Sequence, residues 1–156
     1  MIISELMYDP HGGLEDDFAE WIELHNTTDR DIEMNACFVV DEAHLDPLEE
    51  LAALDGVTIP AGGYTLLGRT DDLAVNGGLM FSSLFEFGLG NGGDVVLLIC
   101  AGVELDRVAY DDGDTYPNAR QRSITRSGDA VVGLDLANNN LRGTLPGEFL
   151  SYIPQM

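Results

Sequence analysis

The 156-residue chain predicts an all-β sandwich of about nine strands with one short helical insertion. Three observations carry this. Phe87-Gly88-Leu89-Gly90-Asn91-Gly92-Gly93-Asp94 is a Gly/Asn turn that runs into the continuous apolar stretch Val95-Val96-Leu97-Leu98, a corner that opens a strand. Along the rest of the chain, period-two runs and short apolar runs alternate with turn residues, which argues for a sandwich or barrel over an α/β fold. A hydrophobic content of 45% at this length suffices for one domain with a real core.

Ile2–Tyr8 is the first predicted strand, and Asp9-Pro10-His11-Gly12-Gly13 breaks it. Phe18–His25 is the second, with Trp21 and Ile22 in the strand and Glu20 and Glu23 partly outward on opposite faces. Asn26-Thr27-Thr28-Asp29-Arg30-Asp31 is a polar turn before Ile32–Val40, where Met34, Ala36 and Phe38 share one parity and Cys37 and Val39 the other. Further strands are predicted at Val57–Ile59, Tyr64–Leu67, Leu84–Phe87, Val95–Cys100, Glu104–Tyr110 and Gln121–Thr125. Between Asp46 and Gly56 a helix is expected: Asp46 caps, Pro47 takes the first helical position and Glu49 completes a capping box. Leu48, Leu51 and Ala52 would form its apolar stripe.

Gly88-x-Gly90-x-x-Gly93 satisfies a dinucleotide-binding pattern, whose chemistry needs a helix after the glycines so that its amides meet a pyrophosphate. Asp94-Val95-Val96-Leu97-Leu98-Ile99 is β-branched and lacks helical period, so the amides enter a ladder instead. Turn chemistry is the reading that fits.

The formal charge of −21 arises from 28 acids against 7 bases, all of them Arg. Such a field repels phosphate backbones and anionic surfaces, so no free nucleic acid is expected as a partner, while a solvated acidic surface keeps the protein in solution. The longest apolar runs fall short of a membrane span. Met1-Ile2-Ile3-Ser4 enters the first strand without a charged leader or cleavage motif, and the parent chain is expected to be longer. Cys37 and Cys100 leave two readings open, a bridge between sandwich layers or two buried thiols, and the absence of Cys-x-x-Cys argues against a zinc ribbon.

Candidate chemical sites are few. Glu15, Asp16 and Asp17 in the first loop, with Asp111, Asp112 and Asp114 before Tyr116-Pro117, would supply oxygen ligands to Ca²⁺ if the two loops meet at one end of the sandwich, though neither follows EF-hand spacing. His11, His25 and His44 lack zinc-site spacing, and no nucleophile elbow is present, so no catalytic set converges and no resident cofactor is expected. Asn26-Thr27-Thr28 is a glycosylation sequon in a turn expected to be exposed.

Four blocks in order, Ile3-Ser4-Glu5-Leu6-Met7-Tyr8-Asp9-Pro10, Glu20-Trp21-Ile22-Glu23-Leu24-His25-Asn26, Ile59-Pro60-Ala61-Gly62-Gly63-Tyr64 and Gly88-Leu89-Gly90-Asn91-Gly92-Gly93-Asp94-Val95-Val96-Leu97, closed by Asp106-Arg107-Val108-Ala109-Tyr110, resemble the lamin tail domain. The resemblance covers residues 1–126 and implies an immunoglobulin-like β-sandwich without catalytic activity. It also implies an interaction or targeting module, in bacteria an accessory domain of secreted or cell-surface proteins. Ala36-Cys37 stands where the family commonly has Gly-Trp, and the expected helix is an insertion; the acid excess makes the chromatin contacts of nuclear relatives a poor transfer. Residues 127–156 read as a linker and a second resemblance: Leu134-x-Leu136-x-x-Asn139-x-Leu141, then Gly143-x-Leu145-Pro146, is similar to one leucine-rich repeat, which cannot bury its own face alone. The expected function is therefore a non-catalytic module binding protein partners at an extracellular or cell-surface location. The alternative is a Ca²⁺-dependent surface- or carbohydrate-binding module that uses the acidic loops with Trp21 or Tyr116.

Overall fold

The protein is seen in a computed structural model that describes residues 1–10, 14–46, 48, 52–111, 123–127 and 130–133. Its strands are β1 (Ile2–Met7), β2 (Trp21–His25), β3 (Ile32–Glu33), β4 (Cys37–Asp41), β5 (Thr58–Ile59), β6 (Tyr64–Gly68), β7 (Ser83–Leu84), β8 (Gly93–Cys100), β9 (Val103–Asp111), β10 (Ile124–Ser127) and β11 (Ala130–Gly133). A larger sheet runs in the order β11-β10-β1-β2-β6-β7, a three-stranded sheet in the order β4-β8-β9, and β3 pairs with β5 as a small ribbon. All pairings are antiparallel except β6 with β7. The large sheet continues through β11, past the boundary expected at residue 126. The leucine-rich-repeat-like segment at 134–156 lies outside the described residues.

Alternation decides what enters the core. Ile22 and Leu24 of β2, Leu67 of β6 and Ile124 of β10 point inward and pack with Cys37, Val39, Val96, Leu98, Val108 and Tyr110 of the smaller sheet. Each fully buried aliphatic side chain contributes roughly 1.5–3 kcal/mol relative to exposure. In β1 strict period two would place Ile3 and Leu6 on opposite faces, yet both are core residues. A bulge resolves this: Ile3 faces Leu24 and Glu5 faces Glu23, so Ser4 is the extra residue. The Ile3 N–H donates to Asp106 Oδ2 of β9 at 2.7 Å, which ties the two sheets together at this bulge.

Several expectations are corrected. Phe18 is not in a strand: Phe18 and Ala19 N–H both donate to Glu15 O at 3.0 Å, forming the helical turn α1 (Asp16–Ala19), whose acidic start suits a helix N-terminus. Ile32–Val40 is split, because Ala36 adopts a φ of 56° and Cys37 N–H closes a turn onto Met34 O. Of Leu84–Phe87 only Leu84 joins a ladder, although Phe85 and Phe87 are still buried. The described part of the expected helix is not helical: Leu48 bridges Leu45, Ala53 bridges Phe38, and a short 3₁₀ turn lies upstream at Glu42–His44. Leu48 is half exposed, whereas Ala52 and Leu54 are buried under strand pairing with β4; at these residues tertiary pairing prevails over the short helical pattern. Pro47, Glu49 and Leu51 lie outside the described residues.

Cys37 and Cys100 are bonded, and the bond joins neighbouring strands rather than the two layers, since the residues are register partners in β4 and β8. Gly93 opens β8 with a φ of +125°, and a Cβ there would meet Tyr110 O at 2.9 Å. The glycine pattern is thus a turn into a ladder, as the sequence implied.

Candidate functional site

Two groups of buried charge stand out, and they differ in their partners. The first lies at the sandwich end where α1 meets the Gly88–Gly93 turn. Glu20, at the C-terminal end of α1, is buried, and its Oε2 accepts the Leu89 N–H at 3.1 Å. Arg69, just past β6, places Nε 3.7 Å from the same oxygen and Nη2 3.7 Å from Asp17 Oδ1. Its Nη1 donates to Phe87 O, and its guanidinium lies over the Phe85 ring. Burial raises the Glu20 carboxyl above its ordinary range, and the Leu89 N–H and the Arg69 charge oppose that rise. Beside this staple, Asp94 accepts the Gly90 N–H at 3.1 Å and the Val95 N–H at 2.7 Å, while Tyr8 stacks on Tyr110. Burial, then the Asp94 and Glu20 charges, push the Tyr110 hydroxyl upward.

The acidic loops expected to hold Ca²⁺ meet in part here. Asp16 Oδ2 accepts from Asn91 Nδ2 at 2.8 Å, and Asp111 is the register partner of Gly93, so both loops flank the same turn. Glu15 and Asp17 are exposed, Asp16 and Asp111 intermediate. Asp16 and Asp17 already face the nitrogen partners Asn91 and Arg69. Asp112 and Asp114 lie outside the described residues. Among the described residues no three His, Cys, Asp or Glu side chains gather to hold a metal ion, and no helix is long and apolar enough to cross a membrane.

The second group lies on the outer face of the large sheet. Because β1 bulges at Ser4, both Ser4 and Glu5 stand opposite Glu23, and Glu5 is also the register partner of Thr125 in β10. The row Thr125–Glu5–Glu23 therefore crosses three strands, with directly opposed side chains about 4.5–5.5 Å apart at Cβ. Glu5 is 1% exposed, Glu23 3% and Ser123 0%. Ser4 Oγ donates to Glu23 Oε1 at 2.6 Å. Ser123 and Thr125 face Glu5 closely enough to favour its charge, yet neither hydroxyl nor either Glu5 oxygen makes a hydrogen bond among the described residues. Burial pushes the Glu5 carboxyl up to about 8, with the Glu23 charge adding to the rise, and burial pushes Glu23 to about 7. Glu20 and Glu23, expected to be partly outward, are thus both buried. Sequence marks them as charged but does not show what packs over them.

Beside this row Met7, Trp21 and Leu66 form an apolar cluster under Leu79 and Phe81 of the 70–82 loop. Asn76 holds the loop's shape: its Nδ2 donates to Thr70 O and Leu79 O, and its Oδ1 accepts from Gly78 and Leu79 N–H. Phe81 lies so close over β6 that a Cβ on Gly68 would come within 2.1 Å of its ring. Asn26 does similar work at the other end of β2. Its Nδ2 donates to Arg30 O, Ile59 O and Pro60 O, its Oδ1 accepts from Thr28, and it is 0% exposed. The expected sequon therefore has its amide nitrogen engaged and buried. Asn-x-Thr here encodes a side-chain turn.

Antiparallel sheets packed on one apolar core, with loops stapled at their ends, define an immunoglobulin-like all-β sandwich. Comparison with known families gives the same answer. The lamin tail domain profile matches residues 1–112, and the chain belongs to that family, whose fold is a non-catalytic one. No curated protein and no solved structure matches the chain.

Proposed function

We propose that this domain is a non-catalytic interaction module of a larger secreted or cell-surface protein and that it binds a protein partner through the 70–84 segment. One observation carries the reading: a loop whose inner side is locked displays large apolar side chains outward. Asn76, Phe81 and the Thr65–Ser82 hydrogen bond of 2.6 Å fix the segment, while Leu73, Met80 and Leu84 are 53%, 82% and 41% exposed. Rigid presentation of apolar groups lowers the ordering cost of binding, and exposed apolar patches mark interaction sites. The Cys37–Cys100 bond supports an oxidising compartment, and the charge of −21 favours partners with basic surfaces around an apolar centre.

The test is affinity capture with cross-linking from the native extracellular fraction, comparing the wild type with a Leu73→Asp, Met80→Asp, Leu84→Asp variant. Loss of a specific protein from the variant at unchanged melting temperature supports the assignment. Equal capture by both overturns it.

A further inference from the structure

We propose that the buried row Ser4, Glu5, Glu23, Ser123 and Thr125 on the outer face of the large sheet is a binding site for one Ca²⁺ ion. Two independent observations point to a ligand. The first is two carboxylates placed opposite each other across β1 and β2 with no Arg beside them among the described partners. The second is that, while Ser4 Oγ bonds Glu23, both Glu5 oxygens and the two other hydroxyls, Ser123 Oγ and Thr125 Oγ1, 0% and 8% exposed and near enough to favour the Glu5 charge, are buried without a hydrogen bond of ordinary geometry. Buried polar atoms are almost always paired, so a carboxylate and two hydroxyls lacking partners at one spot call for a species that accepts lone pairs.

Chemistry selects the ion. Every donor is oxygen, which excludes the soft metals that seek thiolate or imidazole. Two ionised carboxylates are neutralised by a dication. With three hydroxyls they supply donors in the number, about six to eight, that Ca²⁺ takes in irregular geometry. Mg²⁺ keeps several waters and demands an octahedron, which a site exposed by only a few per cent does not accommodate. The bulge is the device that makes the site, because it turns Ser4 and Glu5 toward Glu23 together. This is not the loop site: Glu15, Asp16, Asp17 and Asp111 lie at the sandwich end, against Asn91, Arg69 and Gly93.

The experiment uses the whole chain stripped with EDTA and titrated near neutral pH, with calorimetry for Ca²⁺ and luminescence for Tb³⁺ as its stand-in. Trp21 is the chain's one tryptophan and lies two residues from Glu23 on the same strand face, about 7 Å along β2, so it should sensitise bound Tb³⁺. The wild type is expected to bind one Ca²⁺ with proton release and a rise in melting temperature that matched MgCl₂ and NaCl do not reproduce. Glu5→Gln and Glu23→Gln, which relieve buried charge and so should fold in EDTA, are each expected to weaken binding by about 100-fold or more. Asp16→Asn, Asp17→Asn, Asp111→Asn together should leave it unchanged. Absence of saturable Ca²⁺ binding overturns the proposal. So does binding that survives Glu5→Gln and Glu23→Gln, or that disappears in the loop variant.

Discussion

Glu20 and Glu5 are buried to nearly the same degree, 2% and 1% exposed, and burial raises both carboxyls to about 8, yet their neighbours differ. Glu20 has the Leu89 N–H and the Arg69 guanidinium, and Arg69 in turn reaches Phe87 O and Asp17, so one network fastens α1, the end of β6 and the glycine turn. Glu5 has another acid opposite it and two hydroxyls that stop short of it. Burial alone does not distinguish structure from function. An acid with a backbone N–H and an Arg beside it fastens neighbouring elements, whereas an acid facing a second acid does not.

The largest expected effect breaks the staple. Arg69→Met leaves Glu20 buried beside no cation and frees Phe87 O, so urea denaturation should show a loss of about 3–5 kcal/mol. Arg69→Lys should recover only part of this, because one ammonium cannot reach Glu20, Asp17 and Phe87 O in the same fork geometry.

Next comes a neutral counterpart. Asn26→Ala removes a buried amide and strands the carbonyls of Arg30, Ile59 and Pro60, at a cost of about 2–3 kcal/mol by the same measurement. If Asn26 is instead glycosylated, mass spectrometry of the native protein will show it and this account of the turn fails.

Glu5→Gln should act in the opposite direction to Arg69→Met. In EDTA at pH 8 it is expected to stabilise by about 1–2 kcal/mol, since an amide replaces a carboxylate that lacks partners. The pH dependence follows from the same cause. Folded Glu5 and Glu23 hold their protons up to about 8 and about 7, against about 4.5 when unfolded. The folded state thus binds more protons between these values, and stability falls as pH rises through that window. Melting temperature in EDTA should therefore decline from about pH 4.5 to about pH 8, and Glu5→Gln should flatten the decline. A stability curve that rises over this range would contradict the buried acid pair. The smallest expected effect is that of Thr125→Val, which swaps an unsatisfied hydroxyl for a methyl of the same shape. A change within about 0.5 kcal/mol is expected in EDTA, with a measurable loss only in Ca²⁺.

Much of the sandwich was legible along the chain. Ile22 and Leu24 alternate with Glu23, and a face that must be dry fixes their direction; Gly90, Gly93 and the run after them announce a turn and a buried strand. Where local and tertiary preferences compete, the local reading failed. Asp46, Pro47 and Glu49 spell a helix start, but the described residues of that span pair as strand, Leu48 with Leu45 and Ala53 with Phe38. Asp9-Pro10 and the glycines after it do end β1 in sequence terms, whereas the bulge at Ser4 leaves no mark, because Ser in a strand looks the same whether or not it is the extra residue. The acidic loops carried the visible oxygen ligands, and the proposed ion site lies instead on a strand face that alternation would have assigned to solvent.

Composition and period determined that the chain is all-β, that it is strongly acidic and that it has one apolar core, since burial of alternating side chains follows from strand geometry and solvent alone. Only the tertiary structure decided that Cys37 meets Cys100 in one sheet, that the Asn26 side chain ties loops, and that Glu20 finds Arg69 while Glu5 finds Glu23. These depend on register and on a single extra residue in β1. A one-residue change in strand pairing exchanges the two faces of a sheet, and local sequence does not encode which partner will lie opposite.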